Sequence, residues 1–202
     1  MKHASTRALF DYWDRQRASH PAPGRSDIDP GDIRHVLGDT FMLAADFIDE
    51  LRFRLAGTRV CALFGREIKG ETFTSLWRDA SRTLVADLLV AVANESTGIV
   101  AGVIGRTQND AEVELETLLL PIAASGQTRI RALGAIAPHV SPYWLGAEPI
   151  VDLELRTVRH IGAEQARIIG GGFGLRQASR RGRHGFRVYS GGREFNPDEG
   201  TG

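Results

Sequence analysis

The sequence predicts an α+β fold in which a five-stranded antiparallel sheet packs against helices on one face, with a helical extension at the N-terminus. Three observations lead to this prediction. Strand-like segments fall in two blocks, residues 41–55 and 99–137, and one long amphipathic segment, residues 81–94, separates the blocks. A chain of 202 residues has room for one such domain.

The N-terminal extension begins with a helical pattern. Leu9, Tyr12 and Trp13 follow the spacing of one helical face, and Pro21 ends the pattern. We therefore expect this face to pack onto another surface.

A second, shorter helix is predicted from Pro30 to Val36 or Leu37. Asp29 precedes it at the N-cap position, and Asp32 occupies the position of a reciprocal cap.

Two strands follow, one over residues 41–45 and one over residues 51–55, with a hairpin through Asp49 and Glu50. Residues 57–77 contain glycines at positions 57, 65 and 70. These glycines interrupt the segment, so we expect short helices packed under a loop. In Gly57-Thr58 we expect a tight bend, with Thr58 as the N-cap of a helix.

Residues 81–94 form the clearest helix, and their apolar stripe must face a sheet. Three antiparallel strands are predicted after it, at residues 99–106, 113–123 and 128–137, and a final strand is expected from Ile150 to Arg156. Glu112, Glu114 and Glu116 alternate with apolar residues, which predicts that this part of the sheet has a solvated face.

These elements divide the chain into an N-terminal extension (1–38), a central domain (39–162) and a tail (163–202). The tail holds 10 of the 23 glycines and seven arginines against four acidic residues. Because its apolar residues show almost no helical or strand spacing, the tail is predicted to be flexible.

Composition excludes several classes of function. The 25 basic and 25 acidic residues cancel, so no global charge attracts nucleic acid or anionic membranes. The single cysteine, Cys61, excludes an internal disulfide and a multi-cysteine metal site. No signal peptide is evident and no apolar stretch approaches the ~20 residues that span a bilayer, so we expect a cytoplasmic protein without membrane insertion.

Four sequence segments carry a resemblance to a known family. They are Tyr12-Trp13, Arg25-Ser26-Asp27-Ile28-Asp29-Pro30, Arg54-Leu55-Ala56-Gly57-Thr58 and Gly65-Arg66-Glu67-Ile68-Lys69-Gly70. With these segments the chain resembles the stand-alone bacterial PAS-like family found mainly in α-proteobacteria. The motifs cover about the first 70 residues, and the later strands agree by pattern only.

The resemblance implies that any small ligand would lie between the sheet and the long helix. The lining residues it nominates are Trp77, Leu84, Leu88, Val92, Val103 and Leu118. The alternative is that these residues fill a dry core. Arg54 either lies on an exposed strand face or points into this pocket, where it would need a partner.

Several cofactors of PAS domains are disfavoured. The Gly-Arg-Asn-Cys stretch of the flavin-binding subset reads Gly65-Arg66-Glu67-Ile68 here, so a cysteinyl-flavin adduct is not expected. The long helix contains no histidine for a haem iron. The six histidines show no spacing suited to a metal site, so no metal is predicted.

Arg25, Asp27, Asp29 and Pro30 form a charged cluster that could hold a ligand carboxylate or phosphate. The interpretation we favour is structural: Asp29 caps a helix, and Arg25 pairs with an acidic residue to pin the N-terminal segment onto the domain.

The function predicted is that of a non-catalytic regulatory or sensory module that acts in trans, as a homodimer and through a signalling partner. Leu9, Tyr12 and Trp13 are the interface candidates. One alternative is nucleic-acid binding through the arginine-rich run at residues 176–187 of the tail. The other is a small enzyme, for which Arg54, Cys61, Asp79 and Asp87 are the titratable candidates near the pocket.

Overall fold

A computed structural model of the chain describes residues 1–45, 51–123 and 130–161. The helices are α1 (Ala4–Arg17), α2 (Thr58–Phe64) and α3 (Asp79–Glu95). The strands are β1 (Thr40–Ala45), β2 (Arg52–Ala56), β3 (Gly98–Thr107), β4 (Glu112–Ile122), β5 (Ile130–Pro138) and β6 (Ile150–Ile161). None of the helices in this part of the chain is long and apolar enough to span a bilayer.

The six strands form one antiparallel sheet in the order β2-β1-β5-β4-β3-β6. The α+β fold with an antiparallel sheet is confirmed, and the sheet gains β6 as a full strand that is longer than the expected 150–156 segment. The long helix α3 and the short helix α2 also lie where the sequence predicts them.

Hydrogen bonds from adjacent segments of the chain cover part of both sheet edges. At the β6 edge the amide of Arg78 donates to the Leu153 carbonyl at 3.0 Å, and Ser81 Oγ accepts from the Leu155 amide at 3.0 Å. At the β2 edge the amide of Phe53 donates to the Glu71 carbonyl at 3.0 Å. These bonds satisfy groups that would otherwise pair with another strand.

Apolar side chains cover the two faces of the sheet in two separate clusters. The inner core lies on the face covered by α2 and α3 and includes Phe41, Phe53, Trp77, Leu89 and Leu115. The outer core lies on the opposite face, where the N-terminal helix packs, and includes Leu9, Trp13, Leu118, Leu120 and Leu133.

Helix α1 is stabilised by residues at both of its ends. His3 is the N-cap, and its side chain accepts from the amide of Ser5. Arg15 and Arg17 in the last turn complement the helix dipole. The helix ends at Ala18, whose φ of 49° leaves the helical region.

The predicted helix from Pro30 to Val36 is wrong. This segment is a run of turns with i→i+3 bonds, such as Ile33 to Pro30 at 3.3 Å and Val36 to Ile33 at 2.9 Å. The Asp29 carboxylate accepts from the amide of Gly31 at 2.8 Å, as in an Asx-turn. That local bond takes the place of the expected helix cap.

Glu116 also departs from the prediction, because it is buried and not solvated. It shares the outer face of β4 with Leu118 and Leu120, and α1 covers that face. The hairpin predicted through Asp49 and Glu50, the connection between the strands predicted at residues 113–123 and 128–137, and the tail from residue 163 lie outside the described residues. The boundaries 1–38, 39–162 and 163–202 stay predictions.

Candidate functional site

The structure brings together five of the predicted pocket residues. Trp77, Leu88, Val92 and Val103 are buried in the inner core, and Leu84 packs against it. Phe41, Phe53 and Phe73 extend this core as an aromatic group, with ring centroids between 5.4 and 5.8 Å apart, and Trp77 continues it 5.7 Å from Phe73.

Two of the nominated pocket residues lie elsewhere. Leu118 is in the outer core, because the alternation along β4 turns Leu115 and Leu119 inward and Leu118 outward. Arg54 is exposed on β2. The register between β1 and β2 shifts at this residue, because Met42 pairs with Leu55 whereas Leu43 pairs with Phe53. The structure therefore favours the exposed alternative for Arg54, and neither residue lines the inner core.

Two polar atoms in the inner core lack hydrogen-bond partners. Trp77 Nε1 and Thr117 Oγ1 are both buried and bond to no other atom of the described residues. Thr117 faces inward, since it lies between the inward-facing Leu115 and Leu119 on β4. An unpaired buried donor costs about 1–3 kcal/mol, so a hydrogen-bond acceptor placed beside either atom would stabilise the protein.

The three predicted interface residues are buried within the chain, so that prediction is wrong for this structure. Leu9, Tyr12 and Trp13 belong to the outer core. Trp13 Nε1 donates to the Pro121 carbonyl at 2.7 Å, and the Tyr12 hydroxyl accepts from the Asp29 amide at 2.7 Å. Helical spacing indicates that these residues pack against something, and here that surface is the chain's own sheet.

The charged cluster after α1 is held by local bonds. Arg25 Nη1 donates to the Ile28 carbonyl at 3.2 Å, and Asp27 Oδ2 accepts from the Gly24 amide at 2.8 Å. Asp29 and Pro30 are exposed. The predicted ion pair from Arg25 to an acidic residue does not form among the described residues, and the Tyr12 hydroxyl fixes the segment instead.

Gly57, and not Thr58, is the N-cap of α2. Its φ is −67°, so conformational freedom does not explain the glycine. A Cβ at this position would lie 2.1 Å from the Leu37 carbonyl oxygen, so the close approach of two backbone segments requires glycine.

A polar network surrounds the start of α1. The Glu116 carboxylate accepts from the amides of Lys2 and His3 and from Thr6 Oγ1. Asp39 accepts from Ser5 Oγ at 2.5 Å and from the Arg59 guanidinium at 2.6 and 2.9 Å. Sequence reasoning missed this network, although two hydroxyl residues in the first turn of α1 are a signal that could have pointed to it.

Both carboxylates stay ionised despite burial. Burial favours a raised pKa for Asp39, but the hydrogen bonds from Arg59 and Ser5 hold its pKa below the ordinary value of 3.8. Burial acts in the same way on Glu116, and the bonds from Thr6, His3 and Lys2 hold its pKa below 4.5.

A cavity of about 300 Å³ lies beside this network, at the end of the sheet where β1 begins and β5 ends. Its lining combines polar side chains with an apolar wall. The lining residues include His3, Asp39, Arg59, Leu63, Ile136, Ser141 and Leu145.

The candidates for catalysis do not converge. Arg54, Asp79 and Asp87 are exposed. Burial raises the pKa of the Cys61 thiol, with the nearby Glu67 carboxylate adding to the effect, and this opposes formation of a nucleophilic thiolate. Within the described residues, no group of three or more His, Cys, Asp or Glu side chains is arranged to hold a metal ion.

The loop between β5 and β6 presents two large, highly exposed hydrophobic side chains. Tyr143 is 98% exposed and Val140 is 77% exposed. The sequence predicts no element between the strands expected at residues 128–137 and 150–156. The Pro-Tyr-Trp sequence at residues 142–144 is the signal that could have drawn attention to this segment.

Comparison with known proteins identifies the family of the chain. The model of a family described as "PAS domain" matches residues 1–137. No curated protein matches the sequence. Among solved structures, the LOV protein of Rhodobacter sphaeroides is 14% identical, with a TM-score of 0.41 over 54% of this chain and 63% of that one. The PAS domain of a Colwellia psychrerythraea protein is 14% identical, with a TM-score of 0.39 over 55% of this chain and 97% of that one.

Proposed function

The chain belongs to the PAS domain family, and we propose that it is a non-catalytic regulatory module that relays a signal in trans by contacting other proteins. Family and fold support a sensory or regulatory module. The observation that carries the contact proposal is the exposure of Val140 and Tyr143 on a loop that is itself well anchored.

The anchoring of this loop comes from its own turns. The Leu145 amide donates to the Pro142 carbonyl at 3.1 Å, and the Glu148 amide donates to the Trp144 carbonyl at 2.9 Å. Trp144 and Leu145 pack against the inner core. Because the neighbouring residues are fixed, binding of a partner to Tyr143 would cost little conformational entropy of the loop. Tyrosines that a partner buries in this way often dominate the binding energy at protein interfaces.

A cleft of about 300 Å³ lies beside Val140, between the loop and the start of β4. Glu112 and Glu114 line it, together with His139 and Pro142. The partner surface that fits this region has an apolar centre with basic groups at its rim. The first partner we propose is a second copy of the chain, and the second is a signalling protein.

Self-association tests the first partner. Sedimentation velocity should show a dimer for the wild-type chain and a monomer for the double variant Val140→Ser/Tyr143→Ser. The control is Leu55→Ser/Val151→Ser, which changes two other half-exposed apolar residues on the edge strands. A wild-type monomer at high concentration, or equal dimerisation of all three proteins, would show that the loop does not form a dimer interface.

Site-directed photo-cross-linking tests the signalling partner. A photoreactive residue at position 143 should cross-link a defined partner in the producing cell, whereas the same residue at position 151 should not. The cross-link should disappear when Val140→Ser is added. Equal labelling from both positions would contradict a partner contact at this loop.

We also propose that the inner core holds a small ligand with a hydrogen-bond acceptor. The support for this is the pair of unpartnered polar atoms, Trp77 Nε1 and Thr117 Oγ1. Native mass spectrometry of freshly purified protein should show added mass, and Trp77→Phe should reduce it while Trp144→Phe should not. Absence of added mass, with Trp77→Phe as stable as the wild type, would establish a dry core.

A further inference from the structure

The end-of-sheet cavity described above has the chemistry of a second binding site, separate from the inner core. Its volume of about 300 Å³ is at the lower limit for small-molecule pockets. The start of α1, the segment before β1, helix α2 and the β5–β6 loop each contribute a lining residue.

Arg59 is held in a fixed orientation beside the cavity. Its Nε and Nη2 atoms donate to the two oxygens of Asp39 at 2.6 and 2.9 Å. The guanidinium lies against Gly38, where an added Cβ would be 2.8 Å from Arg59 Cζ. The side chain nevertheless remains 58% exposed, while that of Asp39 is 7% exposed. Nη1 forms no bond within the described residues.

Two more donors line the same cavity. His3 Nδ1 accepts from the Ser5 amide at 3.1 Å, so a neutral His3 ring carries its proton on Nε2. The Ser141 hydroxyl forms no bond within the described part of the chain. The lining thus offers three donor groups, and Asp39, its one carboxylate, already accepts three hydrogen bonds from Ser5 and Arg59.

Most of the remaining lining of the cavity is apolar. Leu63 and Ile136 are buried at the margin of the inner core, and Leu145 packs against the same core. A ligand that satisfies both the polar and the apolar lining residues carries acceptor oxygens together with a short hydrocarbon body.

We propose that this cavity binds a small amphiphilic anion, whose carboxylate or phosphate oxygens accept from Arg59, His3 and Ser141 and whose apolar body lies against Leu63, Ile136 and Leu145. Because Asp39 balances the charge of Arg59, oriented donors and apolar contact, rather than net charge, supply the affinity.

Calorimetric titration of the full chain tests this proposal and identifies the head group. The probes are hexanoate and butyl phosphate, with hexanol as the uncharged analogue and inorganic phosphate as the analogue without a hydrocarbon body. One of the two amphiphilic anions should bind at least about tenfold more tightly than hexanol and inorganic phosphate. If no anion exceeds hexanol, the proposal is wrong.

Variants locate the binding. Arg59→Gln should weaken the preferred anion about tenfold or more, and Gly38→Ala, which displaces the guanidinium, should weaken it severalfold. Arg54→Gln is the matched control, because it removes an exposed arginine outside the cavity. Wild-type affinity in a folded Arg59→Gln protein would overturn the proposal.

If Arg59→Gln fails to fold, two surface changes decide the question. Ser141→Ala removes a donor and Ala62→Phe fills the mouth of the cavity, and both positions are exposed. Unchanged affinity in both variants would also overturn the proposal. The titration uses the chain alone, so its failure leaves the proposed partner contact at Tyr143 untouched.

Discussion

Thr6 Oγ1 donates a 2.5 Å hydrogen bond to the Glu116 carboxylate, which joins the first turn of α1 to the middle of β4 across 110 positions of sequence. The same carboxylate accepts from the amides of Lys2 and His3. Glu116 therefore supplies the negative charge that the first turn of α1 lacks in its own sequence. Trp13 fixes the other end of the helix through its bond to the Pro121 carbonyl.

Replacing this carboxylate should loosen α1. Glu116→Gln keeps the shape of the side chain but loses the charge and one of its acceptor oxygens, so we expect a loss of about 1–3 kcal/mol in the free energy of unfolding. Urea denaturation measures this loss. Glu114→Gln is the matched control on the same strand, because Glu114 is exposed, and an equal effect of both changes would refute the assigned role of Glu116.

Acid should destabilise the protein through Glu116 and Asp39. Their pKa values in the folded chain lie below the ordinary values of 4.5 and 3.8, so the unfolded chain binds more protons in that range. The stabilisation is present above the ordinary values and is lost as pH falls through the lower folded values. Denaturation midpoints from pH 6 to pH 3 should therefore fall less steeply in Glu116→Gln and Asp39→Asn than in the wild type. Parallel curves would contradict this linkage.

Trp13 should act on stability and not on association. Trp13→Phe removes the buried Nε1–H bond to the Pro121 carbonyl and shortens a buried side chain, at an expected cost of about 1–3 kcal/mol in unfolding free energy. Thermal denaturation and sedimentation together check this. A variant of unchanged stability but altered oligomeric state would restore the original interface interpretation of this residue.

Gly57 should tolerate no side chain. Gly57→Ala places a Cβ within 2.1 Å of the Leu37 carbonyl, and separation of the two segments should cost about 1–3 kcal/mol or more. Thr58→Ala is the comparison, since Thr58 makes no capping bond, and it should cost a few tenths of a kcal/mol. Equal stability of the two variants would rule out the close approach as the reason for this glycine.

The periodic elements of the fold were predictable because their burial follows their sequence. The apolar stripe of α3 needs one apolar surface to cover it, and the inner face of the sheet supplies that surface. The segment after Pro30 was not predictable in this way, because Asp29 bonds to the next available amide, that of Gly31, and so favours turns over a helix.

The surface that α1 covers was harder to predict. An apolar stripe requires a partner but does not identify it, and Leu9, Tyr12 and Trp13 would look the same at a dimer interface. The one relevant signal is the uninterrupted apolar run from Leu118 to Ile122, which indicates a strand buried on both faces. The cavity beside Arg59 depends on contacts between distant segments and leaves no local pattern.

Cys61 provides a test of the electrostatics around α2. Burial and the nearby Glu67 carboxylate raise the pKa of its thiol, and Cys61 Sγ lies 3.6 Å from Glu67 Oε1. The thiol should therefore react with iodoacetamide at pH 7.5 more slowly than a cysteine-containing model peptide, since the thiolate is the nucleophile.

Glu67→Gln should accelerate the reaction, because it removes the negative charge beside the thiol. Glu71→Gln is the control: its carboxylate pairs with Arg66, so the rate should stay nearly unchanged. A wild-type rate above that of the model peptide would mean that Cys61 is an activated thiol, and the non-catalytic proposal would then have to be abandoned for this residue.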